Sequence, residues 1–214
     1  MDVTQNFINI KNQIKILNPN VKLIAVTKGQ DVSNIKSIIE EGHLDFGENR
    51  VQEAEFKWTD ILNNKKDINL HLLGKLQSNK AKEAFNLFNY FHSLDNEKLA
   101  KIFSNLEQVS PKKIKYFIQV NIGNESQKSG IDISLVSKFV QFCQIDLKLN
   151  ILGLMCIPPA NEPPDSYFKK LYELNISNGL KELSMGMSDD FTIAIKFGAT
   201  YVRVGSSIFG RRSN

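Results

Sequence analysis

The stretch Leu23-Ile24-Ala25-Val26-Thr27-Lys28 decides how the rest of the chain is interpreted. Four apolar residues run without interruption toward a lysine, and Gly29 follows directly. Such a run is typical of a strand that is buried on both faces, as in a parallel sheet. A lysine at the carboxyl end of that strand lies where parallel α/β folds place their functional groups. The alternative interpretation is that Lys28 is only the first solvated residue after the strand.

The alternation of strand and helix continues along the chain. Val3, Phe7, Ile10 and Ile14 recur at helical spacing and predict an amphipathic helix before the first strand. The predicted strands span residues 23–28, 43–49, 69–73, 89–93, 114–121, 151–157, 180–186 and 201–204. The helices predicted after these strands span residues 32–39, 51–62, 78–88, 96–107, 134–142 and 163–174, then a helix capped by Ser188 and a short one over residues 206–209.

This order of elements indicates the fold class. Strands that alternate with helices form a parallel sheet, and eight such units without a linker favour a closed barrel over an open, doubly wound sheet. We therefore expect an α/β protein made of one (β/α)8 TIM-type barrel with one extra N-terminal helix. We expect residues 1–214 to form this barrel as a single domain.

Composition excludes several classes of function. The chain has 27 Lys and Arg against 23 Asp and Glu, and its basic residues are scattered, so we expect no nucleic-acid partner. No apolar stretch reaches the length of a membrane span or resembles a signal peptide, so we expect no membrane association. Cys143 and Cys156 form no Cys-x-x-Cys motif, and the three histidines lack metal-ligand spacing. A cytoplasmic protein without a metal is expected.

The predicted barrel brings a second cation close to Lys28. Strand eight lies beside strand one in a closed barrel, so Arg203 within Tyr201-Val202-Arg203-Val204 is expected near the lysine. A buried guanidinium is costly without a partner and therefore indicates either an anionic ligand or core acceptors that satisfy it. A neighbouring cation lowers the pKa of a lysine amine, which suits such an amine to Schiff-base formation.

Small polar residues follow the last two strands. Gly205-Ser206-Ser207 after strand eight and the segment 184–188 after strand seven lie where such barrels bind phosphate. Beside Lys28 and Arg203, these loops suggest a phosphorylated ligand that carries a carbonyl. Pyridoxal 5′-phosphate has an aldehyde, a phosphate and a ring nitrogen for which Asp or Arg is the usual protein partner, and Arg203 fits that role.

Several longer motifs make the sequence recognisable. It resembles the pyridoxal phosphate homeostasis protein family, also called the YggS or PROSC family, over nearly its whole length. The matching segments are residues 25–28 (AVTK), 47–53 (GENRVQE), 71–80 (HLLGKLQSNK), 92–95 (HSLD), 128–131 (KSGI), 153–155 (GLM), 183–190 (LSMGMSDD) and 203–210 (RVGSSIFG).

The resemblance implies a barrel like the N-terminal domain of alanine racemase and a set of cofactor-binding residues. Lys28 matches the lysine that holds pyridoxal phosphate as an internal aldimine, and Arg203 matches the arginine that faces the pyridine nitrogen. Asn49 matches a residue beside the cofactor. Ser184, Gly205 and Ser206 match phosphate-binding positions.

The resemblance favours a binding role over catalysis. The chain is expected to hold pyridoxal phosphate for intracellular homeostasis and to deliver it to apoenzymes, as a monomer with no catalytic residues. The alternatives are a racemase-like enzyme that acts on amino acids and, less favoured, a barrel enzyme that acts on a sugar phosphate. Racemases of this fold carry a second domain with a catalytic tyrosine, which we expect to be absent because the chain ends at Asn214. His71 and His92 remain ambiguous between interior groups and a substitute acid or base, and Lys75, Lys80 and Lys128 between solvated residues and phosphate attractors.

Overall fold

Eight parallel strands form a closed barrel in the order of the chain, in a computed structural model that describes residues 2–210. The strands are β1 (Lys22–Val26), β2 (Asp45–Glu48), β3 (Asn69–Leu72), β4 (Tyr90–Leu94), β5 (Lys115–Gln119), β6 (Asn150–Met155), β7 (Glu182–Ser184) and β8 (Tyr201–Val204). The predicted TIM-type barrel is confirmed. The predicted domain of residues 1–214 also includes Met1 and residues 211–214, which lie outside the described residues.

Helices cover the outside of the barrel and connect successive strands. They are α1 (Val3–Leu17), α2 (Val32–Glu40), α3 (Val51–Asn64), α4 (Ala81–Leu87), α5 (Glu97–Gln108), α6 (Val136–Gln141), α7 (Asp165–Ser177), α8 (Phe191–Lys196) and α9 (Ser206–Phe209). Short 3-10 turns precede α4 and α6, and a π turn over Phe142–Asp146 follows α6.

The extra helix α1 is fixed at both its start and its side. Asp2 accepts a hydrogen bond from the backbone N–H of Gln5 at 3.0 Å, as an N-cap residue does. Phe7 is fully buried, and the side chain of Asn6 donates to the carbonyl of Ile208 at 3.1 Å. The first helix therefore packs onto the last one, next to the closure of the barrel.

Barrel closure brings the first strand and the eighth strand side by side. β1 pairs with β8 so that Ile24 lies opposite Arg203, and with β2 so that Ala25 lies opposite Phe46. The carboxyl ends of β1, β2 and β8 therefore meet at one rim. This geometry is why Lys28, Asn49 and Gly205, which follow these strands, reach a common cavity.

Two local predictions near this rim need correction. β1 ends at Val26 and not at Lys28, because the chain turns from Thr27 to Gln30, with a backbone hydrogen bond of 3.1 Å and Gly29 at a φ of +68°. Glycine adopts that conformation without steric cost. The predicted start of a helix at Ser188 is also wrong, as described below.

The interior of the barrel contains an apolar layer and a row of polar groups. Ile24, Tyr90, Phe117, Met155 and Tyr201 form the apolar layer. Four polar side chains from other positions are buried along the same interior: His71, His92, Ser184 and Arg203. Their mutual hydrogen bonds satisfy most of the groups that burial would otherwise leave unpaired.

Two kinds of feature are absent from residues 2–210. The structure contains, within that range, no helix with the length and apolar character needed to span a bilayer. In the same residues there is no group of three or more His, Cys, Asp and Glu side chains arranged to hold a metal ion.

Candidate functional site

A cavity of about 400 Å³ opens at the carboxyl end of the barrel. Its lining comes from the segments that follow β1, β2, β3, β6, β7 and β8, and includes the following residues: Val26, Lys28, Gln30, Asn49, Leu73, Ile157, Met187, Ser188, Asp189, Arg203, Gly205, Ser206 and Gly210. Volumes of this order are typical of small-molecule sites.

Five of the six predicted site residues line this one cavity. Lys28 lies two residues beyond β1, Asn49 follows β2 directly, Arg203 is on β8, and Gly205 and Ser206 follow β8. They come from positions as far apart in the chain as 28 and 206, and only barrel closure brings them together. The cavity therefore joins an amine, a guanidinium, an amide and a hydroxyl.

The segment that carries Lys28 is held on both sides by the third helix. Lys57 of α3 donates to the carbonyl of Thr27 at 2.6 Å, and the backbone N–H of Gly29 donates to the carboxylate of Glu53. Lys57 and Glu53 also pair with each other at 2.8 Å. The residues before and after Lys28 are thus fixed, which limits the backbone positions open to Lys28.

A fully buried carboxylate anchors this arrangement. Glu48, the last residue of β2, accepts hydrogen bonds at Oε1 from the Thr27 hydroxyl at 2.7 Å and the Trp58 indole at 3.0 Å. The same oxygen lies 2.7 Å from the ammonium of Lys57. An isolated buried carboxylate would be very unfavourable, so Lys57 is the charge partner that makes burial of Glu48 possible.

Arg203 forms the floor of the cavity and is itself supported from below. Its side chain is held by core acceptors: Nη1 donates to the hydroxyl of Ser184 at 2.8 Å, and Nη2 donates to the carbonyl of Cys156 at 3.0 Å. Burial lowers the pKa of the guanidinium, but the ordinary pKa of arginine is high enough that Arg203 stays charged. The interpretation that core acceptors satisfy Arg203 is confirmed, and the interpretation that it binds an anionic ligand stays a prediction.

The structure places Ser184 beneath the cavity and not on its wall. Ser184 is 0% exposed, and its hydroxyl contacts Arg203 and, at 2.8 Å, the Nδ1 atom of His92. Its assignment as a phosphate contact stays a prediction, and these contacts indicate a role in holding Arg203. Ser184 is the last residue of β7, and successive residues of a strand point to opposite faces. The sequence alone did not show which face Ser184 would take.

Ser188 lines the cavity, although the sequence analysis assigned it a role only as a helix cap and as part of the segment 184–188. We predicted it as the cap of a helix, but α8 begins at Phe191 with Asp190 as the preceding residue. The hydroxyl of Ser188 instead accepts from the backbone N–H groups of Gly205 at 3.3 Å and Ser207 at 3.2 Å. It therefore joins the loop after β7 to the loop after β8. The small residues Ser184, Gly186 and Ser188 in the segment after β7 were the available signal.

The two interior histidines do not reach the cavity. His71 and His92 are both 0% exposed, and neither belongs to the lining. The His71 ring stacks on Tyr90 with centroids 4.2 Å apart, and the His92 ring stacks on Phe117 at 4.4 Å. The structure therefore supports the interpretation of both as satisfied interior groups.

Three further lysines were ambiguous between solvation and phosphate attraction. None of Lys75, Lys80 and Lys128 lines the cavity. Lys80 pairs with Glu83 at 3.1 Å, and Lys128 pairs with Glu125 at 2.5 Å.

Comparison with known proteins agrees with this geometry. The alanine racemase N-terminal domain family matches residues 2–213. A pyridoxal phosphate homeostasis protein from Synechocystis sp. is 36% identical over 208 residues, which cover 93% of this chain and 95% of that protein. PipY of Synechococcus elongatus, whose structure was solved with pyridoxal phosphate bound, is 34% identical, with a TM-score of 0.84 over 98% of this chain and 100% of PipY.

A more distant comparison concerns the fold alone. Alanine racemase from Corynebacterium glutamicum is 17% identical with a TM-score of 0.73, and the match covers 99% of this chain but 61% of the racemase. The full-length relatives share both the barrel and about a third of their residues with this chain. The chain therefore belongs to the pyridoxal phosphate homeostasis protein family.

Proposed function

We propose that this chain binds pyridoxal phosphate in the cavity at the carboxyl end of the barrel and serves intracellular homeostasis of that cofactor. The observation that carries the proposal is the convergence of Lys28, Arg203, Gly205 and Ser206 on one cavity. The family relative PipY, solved with pyridoxal phosphate bound, supports it.

The residues of the cavity fit the three polar parts of the cofactor. The aldehyde is an electrophile, and the amine of Lys28 is the nucleophile in the lining that would bond to it as a reversible Schiff base. Ser206 would offer its backbone N–H and hydroxyl to the phosphate and Ser188 its hydroxyl, while Gly205, whose N–H donates to Ser188, has no side chain to obstruct the phosphate. Arg203 donates to the ring nitrogen, and a donor there keeps that nitrogen unprotonated.

The same cavity favours handling of the cofactor over amino-acid turnover. Racemisation requires a second acid or base on the opposite face of the ring from Lys28. His71 and His92 were the candidates, and both are buried away from the lining with their nitrogens in hydrogen bonds. An unprotonated ring nitrogen beside Arg203 also weakens the electron sink that carbanion chemistry uses.

Transfer without turnover is the expected behaviour in solution. The loaded protein, mixed with the apo form of a pyridoxal phosphate enzyme, should restore that enzyme's activity, since a Schiff base forms reversibly. Chiral analysis of alanine and other amino acids incubated with the same protein should show no racemisation. Racemisation that disappears in Lys28→Ala would instead assign the racemase-like alternative. Absence of both transfer and turnover would reduce the proposal to storage.

The phosphate loop should distinguish phosphorylated from unphosphorylated ligand. Ser206→Ala removes one hydroxyl donor and should weaken binding of pyridoxal phosphate by roughly 1.5–3 kcal/mol, the range for hydrogen bonds to charged groups. Gly205→Val should cost more, because a Cβ at Gly205 already lies 3.3 Å from the backbone oxygen of Val26 and the added methyl groups would block the approach of the phosphate. Titration with pyridoxal is the control, and equal losses for both ligands would show that this loop does not hold the phosphate.

A further inference from the structure

A continuous row of hydrogen bonds crosses the interior of the barrel from the cavity floor to the opposite rim. Arg203 Nη1 lies 2.8 Å from Ser184 Oγ, which lies 2.8 Å from His92 Nδ1. His92 Nε2 lies 2.9 Å from His71 Nδ1, and His71 Nε2 lies 3.1 Å from Asp45 Oδ1. These residues are on β8, β7, β4, β3 and β2, so the row links five of the eight strands.

The chemistry of the two ends gives the row one direction. A guanidinium only donates, and a carboxylate only accepts. Although burial pushes the pKa of Asp45 upward, the hydrogen bond from His71 lowers it below its usual value, so Asp45 is ionised. The row therefore begins with a pure donor at Arg203 and ends with a pure acceptor at Asp45.

The two imidazoles are neutral, which fixes their protons. Burial lowers the pKa of His71, with Asp45 opposing and Lys22 and Lys115 adding to the effect. Burial, helped by His71 and Arg203, lowers the pKa of His92 well below its usual value. A neutral imidazole carries one N–H, and in His71 it must point to Asp45. His71 Nδ1 is then an acceptor, which requires His92 to donate from Nε2.

The fixed protons of the two histidines determine which part of the Ser184 hydroxyl faces Arg203. His92 Nδ1 is an acceptor, so the hydroxyl proton of Ser184 points to it and leaves a lone pair for the guanidinium. The opposite arrangement would place a lone pair of His71 against the carboxylate of Asp45, which is repulsive in a dry interior. Every donor therefore meets an acceptor only when each hydrogen bond of the row points from Arg203 toward Asp45.

We propose that Asp45, His71, His92 and Ser184 form a hydrogen-bond row of fixed direction that positions Arg203 from the far end of the barrel. The link to the cofactor rests on the proposed function, in which Arg203 faces the ring nitrogen. These four are positioning residues, because they act on the cofactor through Arg203. The row includes the two histidines and the serine that the cavity itself leaves without a role.

Nitrogen NMR of the histidine side chains in the full chain without cofactor tests the row directly. We expect His71 and His92 to show an Nε2–H tautomer with unprotonated Nδ1, unchanged between about pH 6 and pH 8. Asp45→Asn should populate the Nδ1–H tautomer of His92, although His92 lies two hydrogen bonds away. A charged imidazole or an Nδ1–H tautomer in the unmodified protein would overturn the proposal.

Cofactor binding supplies the second readout, with a matched substitution as control. Ser184→Ala should weaken pyridoxal phosphate binding about tenfold, and Asp45→Asn about threefold to tenfold, each with an altered absorption spectrum of the bound cofactor. Glu182→Gln is the control, since Glu182 begins β7 at the same rim as Asp45 without belonging to the row. Equal effects of Asp45→Asn and Glu182→Gln, or unchanged binding in both row variants, would overturn the positioning role. The NMR arm requires no cofactor, so a failure of the proposed function is separately visible.

Discussion

Replacing Lys28 with alanine is expected to weaken the binding of pyridoxal phosphate by about a hundredfold or more, which corresponds to about 3 kcal/mol. Lys28 lines the cavity, and in the proposed function its amine would bond to the aldehyde, so that alanine would leave only the proposed non-covalent contacts of Arg203 and the phosphate loop. The absorption that a Schiff base adds to the cofactor spectrum should be lost as well. Spectroscopic titration of the variant measures both effects.

The matched control is Lys36→Ala, which removes an exposed lysine from α2. Its affinity and spectrum should equal those of the unmodified protein, since Lys36 does not line the cavity. Retention of the Schiff-base spectrum in Lys28→Ala would mean that another lysine holds the cofactor.

Replacing Lys57 with alanine should destabilise the protein by about 3–5 kcal/mol, the range for breaking a buried ion pair from one side. Lys57 is buried between Glu48 at 2.7 Å and Glu53 at 2.8 Å, and Glu48 would remain as an uncompensated buried charge. The carbonyl of Thr27 would also lose its donor. Equilibrium unfolding in urea measures the loss, and weaker cofactor binding should accompany it because the Lys28 segment loses one of its two anchors.

Lys101→Ala provides the comparison for this effect. Lys101 and Glu97 form an ion pair at 3.3 Å with the same i,i+4 spacing as Lys57 and Glu53. The side chains of Lys101 and Glu97 are 56% and 62% exposed. Such solvated pairs contribute about 0.3–0.5 kcal/mol. Similar losses in Lys57→Ala and Lys101→Ala would contradict the account of Glu48 as a buried charge that depends on Lys57.

The periodic elements of the barrel could be predicted from the sequence alone. The apolar run before Lys28 and the run around Val202 each indicated a buried parallel strand, and the count of eight units indicated closure. Closure in turn placed Arg203 beside the segment of Lys28, and the pairing of Ile24 with Arg203 confirms that neighbourhood.

Contacts between helix and strand could not be predicted in this way. Lys57 and Glu53 on α3 have the i,i+4 spacing of an ordinary solvated pair, and only the folded structure places the buried Glu48 beside them. The spacing of residues along one helix shows which of them lie on the same face, but it does not show which residues of other elements pack against that face.

The interior polar residues were ambiguous for a related reason. His71 lies within β3 and Asp45 begins β2, so the hydrogen bond between them joins two different strands. Ser184 and Ser188 differ by only four positions, yet one lies under the cavity and the other lines it. The exact end of a strand decides this difference, and strand ends are the least certain part of a sequence prediction.

Borohydride reduction of the loaded protein, followed by peptide mapping, tests the central claim most directly. Reduction converts a Schiff base into a stable amine, so the cofactor stays on the residue that held it. The account predicts one dominant adduct, on the peptide that contains Lys28, and its loss in Lys28→Ala. An adduct chiefly on another lysine, or none on a protein that has bound the cofactor, would contradict it.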